Sequence, residues 1–243
     1  ENFMAIIKKD AYFLSSTAIN KIHCCIWQSD EKEYKGIFQI AHGVSEHIER
    51  YDEFARFLAN EGYIVCGNDH LGHGKSVDSL DDLGFFAEED GDKRMIDDMH
   101  ILYSIMHRRY PELPYYLFGH SMGSFCARVY ATAFWNELSA LILCGTGELP
   151  SAAVVLEEPI RFLCKKLGPH AQASNAILDK FSSFFVKDAR TDKDWLSRNP
   201  DNVDAYIADP LCGADLKLGG VRDLISLANS ACTDEWAYLI PPS

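Results

Sequence analysis

The sequence predicts an α/β fold in which a mostly parallel sheet carries helices on both faces. Short runs rich in β-branched and aromatic residues alternate with longer helical patterns through about the first 150 residues. A G-x-S-x-G segment lies where a predicted strand meets a predicted helix. With 243 residues, of which 47% are apolar and 24% charged, the chain is long enough for one such domain with a sizeable core.

The predicted strands are apolar or alternating runs that end at glycines, prolines and short polar residues. The run GIFQIA is apolar enough to be buried on both faces, as in a central parallel strand. The run YIVCG leads into a glycine-rich polar loop at 68–76, whose composition suits a tight, functional connection. The predicted strands are 11–16, 21–27, 36–41, 63–67, 115–118 and 140–144.

The helices between these strands are predicted from apolar residues at helical spacing. In the first, aromatic and aliphatic residues share one face, and Gly62 is placed to end it. In the second, three methionines and a leucine recur at helical spacing, and prolines follow its end. The predicted helices are 48–61, 90–109 and 122–134.

The pattern changes after Gly145, because residues 148–232 contain amphipathic helical stretches but no convincing strand. We therefore expect a core at 1–147, a helical insertion at 148–232 and a linker at 233–243, where two adjacent prolines oppose a regular element. The helices predicted in the insertion are 156–166, 176–185 and 221–230.

Composition and charge limit the classes of partner. The net charge of −13 repels phosphate backbones, so we expect no nucleic-acid partner. No apolar run approaches the roughly 20 residues that span a bilayer, and the first residues lack a hydrophobic signal region. The eight cysteines form no C-x-x-C pair; we interpret them as reduced core thiols, which favours a cytoplasmic protein. They are Cys24, Cys25, Cys66, Cys126, Cys144, Cys164, Cys212 and Cys232.

The segment Gly119 to Gly123 reads GHSMG and lies directly after an apolar strand and before a helix. Such a sharp turn strains the backbone at the central serine and leaves no room for side chains on either side, which explains both glycines. By composition alone the motif occurs in roughly a tenth of chains this long. Its place between strand and helix therefore carries the interpretation of Ser121 as a nucleophile.

Two backbone N–H groups are predicted to face Ser121. The helix that starts at Met122 directs its free N–H groups toward the point where a tetrahedral intermediate would carry negative charge. The second N–H comes from Val44 in the segment HGV, because Gly43 lets the backbone turn inward. The residues that support this arrangement are His42, Gly43, Gly119, His120 and Gly123.

Four segments combine into a more specific pattern: AHGVSEHIERYDEFARFL (41–58), GNDHLGHGKS (67–76), GFFAEEDG (84–91) and LFGHSMGS (117–124). Together they resemble the monoacylglycerol lipase and lysophospholipase branch of the α/β hydrolases, the serine aminopeptidase S33 type. The similarity extends from about residue 10 through ADPLCG at 208–213.

This resemblance implies an α/β-hydrolase fold with Ser121 as the nucleophile and Val44 and Met122 as oxyanion donors. It also implies that residues 148–232 form a helical cap over an acyl-binding pocket. We therefore predict a serine hydrolase that cleaves acylglycerol or lysophospholipid esters through an acyl-enzyme, without metal or organic cofactor. Thioesters or N-terminal prolyl peptides are alternative substrates, because fold does not fix function.

The family's catalytic Asp and His have no counterpart in the chain, whereas the family order is nucleophile, then acid, then histidine. We expect the last strands of the sheet to be absent too, and the 243-residue chain alone to be poorly active. A trimmed or cleaved protein is favoured over an inactive, truncated homologue with only a binding role. Of the histidines that follow strands, His42 and His70 resemble loop-organising residues, and His120 is expected to turn away from Ser121.

Other polar and aromatic groups have simpler interpretations. Asp209 and Asp215 are interpreted as structural, since Asp209 precedes a proline as a turn-forming residue does. Phe181, Phe184 and Phe185 either line an acyl pocket or anchor the cap. A cluster of acids and histidines lacks metal-ligand spacing and is expected to hydrogen-bond its own loops. This cluster is Glu46, His47, Asp69, His70 and His73.

Overall fold

The computed structural model describes residues 5–30, 33–148, 155–173, 188–233 and 236–240. Within these residues the strands are β1 (Ile7–Leu14), β2 (Lys21–Gln28), β3 (Gly36–Ala41), β4 (Tyr63–Asn68), β5 (Tyr115–His120) and β6 (Ala140–Cys144). They form one sheet in the order β1-β2-β4-β3-β5-β6. The pairs β3–β4, β3–β5 and β5–β6 are parallel, whereas β2 is antiparallel to both β1 and β4.

The predicted strands are confirmed, with changes at their ends. Strand β1 begins at Ile7 rather than at residue 11, because its first residues also pair with β2, Ile7 opposite Gln28. Most side chains of β1 are exposed, so the sequence of this edge strand lacks the apolar alternation that would mark its start.

The α-helices of the described residues are α1 (Asp52–Asn60), α2 (Gly91–Arg109), α3 (Met122–Phe134), α4 (Glu157–Leu167), α5 (Pro200–Ala208) and α6 (Leu218–Ala231). Short 3-10 helices occur at Ile48–Tyr51, Leu80–Asp82, Trp135–Glu137 and Trp236–Leu239. In the described part of the chain, no helix combines the length and the apolar character needed to cross a membrane.

The helix predicted at 48–61 is divided into two parts. Its first turn, Ile48–Tyr51, is a 3-10 helix, and α1 follows directly. The Ile48 N–H donates to Asp69 Oδ1 at 2.8 Å, which fixes the chain before the α-helix begins. Gly62, with a φ of 90°, ends the helix as predicted.

Helices cover both faces of the sheet. Because side chains alternate along a strand, Ile37 of β3 packs with residues of α2, whereas Ile40 packs with residues of α1. On the first face, Met122 of α3 joins Met95 and Met99 of α2 in one buried cluster. Full burial of side chains of this size contributes about 1.5–3 kcal/mol each. Helix packing on both faces thus stabilises the parallel strands, from whose carboxyl ends the loops of the site extend.

The region predicted as a helical insertion contains α4, α5 and α6, with an isolated antiparallel bridge between Gln172 and Lys217 in its described part. Helix α6 packs against α2 and α3, and its Leu227 lies in the same buried cluster as their methionines. The last helix of the insertion therefore packs on the core. The helix predicted at 176–185 lies outside the described residues, as do Phe181, Phe184 and Phe185.

All eight cysteines are free thiols. Five of them are buried, as expected for core thiols. The core interpretation is wrong for Cys144, which is exposed on β6 within the described residues, and for the half-buried Cys212 and Cys232.

Candidate active site

Ser121 occupies the junction between β5 and α3 with a strained backbone. Its φ of 51° and ψ of −119° lie outside the regions that ordinary residues adopt, at a cost of about 1–3 kcal/mol. Backbone hydrogen bonds hold it there: Ser121 N donates to Cys144 O at 3.0 Å, and Ser121 O accepts from Ser124 N at 2.8 Å and from Phe125 N at 3.4 Å. The strand-to-helix turn predicted from G-x-S-x-G is therefore present.

At both motif glycines, neighbouring backbone atoms come too close to leave space for a side chain. A Cβ on Gly119 would lie 2.3 Å from Gly123 O, and one on Gly123 would lie 2.1 Å from Ala41 O. Both distances are far inside van der Waals contact. The glycines thus let α3 start directly against the ends of β3 and β5.

Gly43 brings the loop after β3 against Ser121. A Cβ added to Gly43 would lie 2.8 Å from Glu46 Oε1 and 3.3 Å from Ser121 Cβ, so neighbouring side chains would have to shift to admit it. The backbone N–H groups of Val44 and Met122 donate no hydrogen bond to any described residue. Met122 follows Ser121 in sequence, and Val44 follows Gly43, which lies against Ser121. The assignment of these two N–H groups as oxyanion donors stays a prediction.

A buried carboxylate holds this loop in place. Glu46 Oε1 accepts hydrogen bonds from Gly43 N at 2.6 Å and from the Tyr51 hydroxyl at 2.7 Å. The same oxygen lies 3.3 Å from Nδ1 of His120, which itself lies 2.9 Å from the Tyr51 hydroxyl. Glu46 therefore links the loop after β3 to the residue that precedes Ser121.

The contacts of Glu46 keep it ionised. Burial by itself raises the pKa of the Glu46 carboxyl, but its hydrogen bonds with His120 and Tyr51 and the nearby His42 lower that pKa to about 2. Sequence reasoning missed this role, because it placed Glu46 among loop-bonding residues and included Tyr51 only as part of the predicted helix at 48–61. The sequence signal for this role was a glutamate, Glu46, three residues after the loop glycine Gly43.

The sequence matches the family described as Hydrolase_4, serine aminopeptidase S33, over residues 32–241. The chain belongs to this family. Its relatives include the monoacylglycerol lipase of Mycolicibacterium smegmatis, 31% identical over 208 residues, which cover 84% of this chain and 66% of that protein. The monoglyceride lipase of Homo sapiens is 30% identical over 192 residues, which cover 76% of this chain and 55% of that protein. The chain thus spans less than two thirds of the length of these relatives.

Solved structures agree with the predicted fold. A thermostable carboxyl esterase from Bacillus coagulans, determined in complex with glycerol, is similar with a TM-score of 0.87 and 28% identity, covering 96% of this chain and 76% of that one. A lipase in an open form has a TM-score of 0.83 at 22% identity, covering 97% of this chain and 77% of that one. The predicted α/β-hydrolase fold is confirmed.

The prediction that His42 and His70 organise loops in this S33-family chain is confirmed for His42 only, because both ring nitrogens of the buried His70 lack a hydrogen-bond partner among the described residues. His42 Nδ1 lies 2.7 Å from Gly43 O, and His42 Nε2 accepts the His70 N–H at 3.0 Å. Burial lowers the pKa of both rings, and it lowers the pKa of His73 to about 3. These imidazoles are neutral near pH 7.

None of the described histidines hydrogen-bonds to Ser121 Oγ. The ring of His120 contacts Tyr51 and Glu46 instead, in agreement with the expectation that it turns away from the nucleophile. The described residues therefore contain the strained serine and the free N–H groups, and no general base is assigned among them.

The predicted loop hydrogen bonding is confirmed for the acids around the site. Asp69 accepts hydrogen bonds from the backbone N–H groups of Ile48 and Lys75, each at 2.8 Å. Asp209 accepts from Leu211 N at 2.9 Å and lies 2.8 Å from His47 Nε2, as a turn-forming residue would. These carboxylates tie neighbouring loops together.

Proposed function

We propose that the protein is a serine hydrolase that cleaves carboxylic esters of acylglycerol or lysophospholipid type through an acyl-enzyme on Ser121. The observation that carries the proposal is the strained Ser121 between two glycines that accept no Cβ. Such a serine is held with its hydroxyl exposed to substrate at the start of a helix. The named lipase relatives support the ester class.

In the first step Ser121 Oγ attacks the ester carbonyl carbon while its proton passes to a general base. The carbonyl oxygen becomes negative and accepts hydrogen bonds from the N–H groups of Val44 and Met122. Collapse of the tetrahedral intermediate breaks the bond to the alcohol, which leaves with a proton and gives the acyl-enzyme. Water then hydrolyses the acyl-enzyme by the same sequence of steps and restores Ser121.

We further propose that residues 148–232 include a cap over the acyl-binding pocket. Helix α5 supports this assignment, because the Tyr206 hydroxyl donates to Ser45 O at 3.0 Å, next to Val44. Because α6 packs on α2 and α3 of the core, we propose that the cap itself ends before α6. An apolar acyl chain is the substrate group that such a cap would enclose.

The test is a substrate panel assayed with the whole purified protein and its Ser121→Ala variant. We expect monoacylglycerol or lysophospholipid esters to give the highest kcat/KM, and we expect Ser121→Ala to lower kcat by about 10⁴-fold to 10⁶-fold. Ser230→Ala, which removes the hydroxyl of an exposed serine on α6, is the control and should retain full activity. Preference for thioesters or prolyl peptides would contradict the proposed substrate class, and full ester hydrolysis by Ser121→Ala would contradict the nucleophile.

A further inference from the structure

Three side chains with metal-binding atoms meet on one face of the β1–β2 pair. Asp10 lies opposite Cys25 in the ladder, and His23 is two residues before Cys25, so strand alternation points all three to the same side. Cys25 Sγ lies 3.6 Å from Asp10 Oδ1 and 3.8 Å from His23 Nε2, and the last two atoms lie 2.9 Å apart. We propose that Asp10, His23 and Cys25 bind a divalent metal ion of the zinc type.

The spacing of the three atoms fits a tetrahedral ion. Zinc bonded to N, O and S at its usual lengths separates these ligands by about 3.3–3.6 Å. The two distances to Cys25 Sγ are close to this range. The distance between Asp10 Oδ1 and His23 Nε2 would increase by about 0.4 Å when the ion replaces their hydrogen bond. A set of thiolate, imidazole and carboxylate favours zinc over magnesium or calcium, which prefer oxygen ligands.

A second carboxylate fixes the orientation of the imidazole. Asp69 Oδ2 lies 2.8 Å from His23 Nδ1, so the other ring nitrogen faces Asp10 and Cys25. Asp69 is fully buried and its own position is fixed by backbone N–H donors from Ile48 and Lys75. A carboxylate behind a ligating histidine is a common feature of zinc sites and strengthens binding.

The surroundings allow an ion to reach the site. The Asp10 side chain is 47% exposed whereas that of His23 is 1% exposed, so an ion would approach from the Asp10 side. Two lysines lie nearby: Lys8 and Lys75 both form ion pairs with Glu49, and Lys75 Nζ also lies 3.9 Å from Asp10 Oδ1, so a bound ion would replace Lys75 beside that carboxylate. On binding, the Cys25 thiol gives its proton to solvent and the sulfur donates an electron pair to the metal; a proton on His23 Nε2 leaves in the same way.

None of these three residues belongs to the Ser121 site, so this proposal does not rest on the proposed function. An ion at this position would tie the edge strand β1 to β2. Because it binds the folded chain, it would stabilise the protein by an amount that rises with the logarithm of the free metal concentration once that concentration exceeds Kd.

The experiment titrates the metal-free purified protein with cobalt(II), whose spectrum reports thiolate ligation, and then displaces the cobalt with zinc. We expect one tetrahedral cobalt site per chain, with the three side chains and a solvent water as ligands, and a sulfur-to-metal charge-transfer band. Cys25→Ser should abolish that band, and Asp69→Asn should weaken zinc binding by about 10-fold to 100-fold. A folded wild-type protein without the band, or a band that persists in Cys25→Ser, would overturn the proposal.

The described residues contain a second cluster of possible metal ligands, which provides a matched control. This cluster is His47, Asp209 and Cys212. Cys212→Ser should leave the cobalt spectrum unchanged, and loss of the band in that variant would overturn the proposed location. Circular dichroism of each metal-free variant verifies folding. Should Cys25→Ser not fold, Asp10→Asn decides the matter, since Asp10 is half-exposed: a zinc affinity at least 10-fold weaker supports the site, and an unchanged affinity overturns it.

Discussion

Glu46 Oε1 accepts a hydrogen bond from the backbone N–H of Gly43 at 2.6 Å. This bond joins a buried carboxylate to the loop that packs against Ser121. With its own N–H bound to Glu46, Gly43 is held in an orientation that leaves the next N–H, that of Val44, without a partner among the described residues. The carboxylate is thus a positioning group for the proposed oxyanion donor.

Replacing Glu46 with alanine is expected to lower kcat about 100-fold with little change in KM. This decrease in kcat is expected because the Val44 N–H would be misplaced by about 1 Å. Such a shift weakens contacts to the transition state more than it weakens substrate binding. Steady-state kinetics on the preferred ester measure both constants. Glu53→Ala on the exposed face of α1 is the control, and equal losses in the two variants would contradict the positioning role.

The Glu46 carboxyl also predicts how stability responds to acid. Its pKa in the folded protein is about 2, below its ordinary value of 4.5. Its stabilisation is therefore complete above about pH 4.5 and is lost as the pH falls through about 2. Urea unfolding across this window should show that wild-type protein loses on the order of 3 kcal/mol more than Glu46→Gln. Parallel losses in both proteins would argue against an ionised Glu46.

Gly123→Ala is expected to destabilise the protein by more than about 3 kcal/mol or to prevent folding. The added methyl would lie 2.1 Å from Ala41 O and 2.6 Å from His42 O, so backbone must move. Gly147→Ala is the matched control, because a Cβ there has nothing within 4 Å. Thermal unfolding of both variants checks this expectation, and a Gly123→Ala protein as stable as wild type would refute the close packing.

Val44→Pro removes the proposed oxyanion N–H and is expected to lower kcat by about 10²-fold to 10³-fold. Val44→Ala keeps that N–H and should lower kcat much less, which separates the backbone donor from the side chain. Rates for both variants, with circular dichroism to verify folding, test the assignment. Comparable kcat values for the two would show that Val44 N–H does not stabilise the transition state.

Local patterns allowed most of the fold and the centre of the site to be predicted. Ser121 and its two glycines were found because a strand-to-helix turn imposes their spacing. The order of the strands was not predicted, since pairing depends on contacts between distant segments. The contact of Tyr51 with His120 was missed for the same reason: the residues are 69 positions apart and meet only when β3 and β5 pair.

Treating the whole protein with a fluorophosphonate and mapping the adduct by peptide mass spectrometry shows whether Ser121 is the nucleophile. We expect a single adduct on Ser121, blocked by prior incubation with the preferred ester and absent from Ser121→Ala. An adduct on another residue, accompanied by full loss of ester hydrolysis, would contradict this expectation.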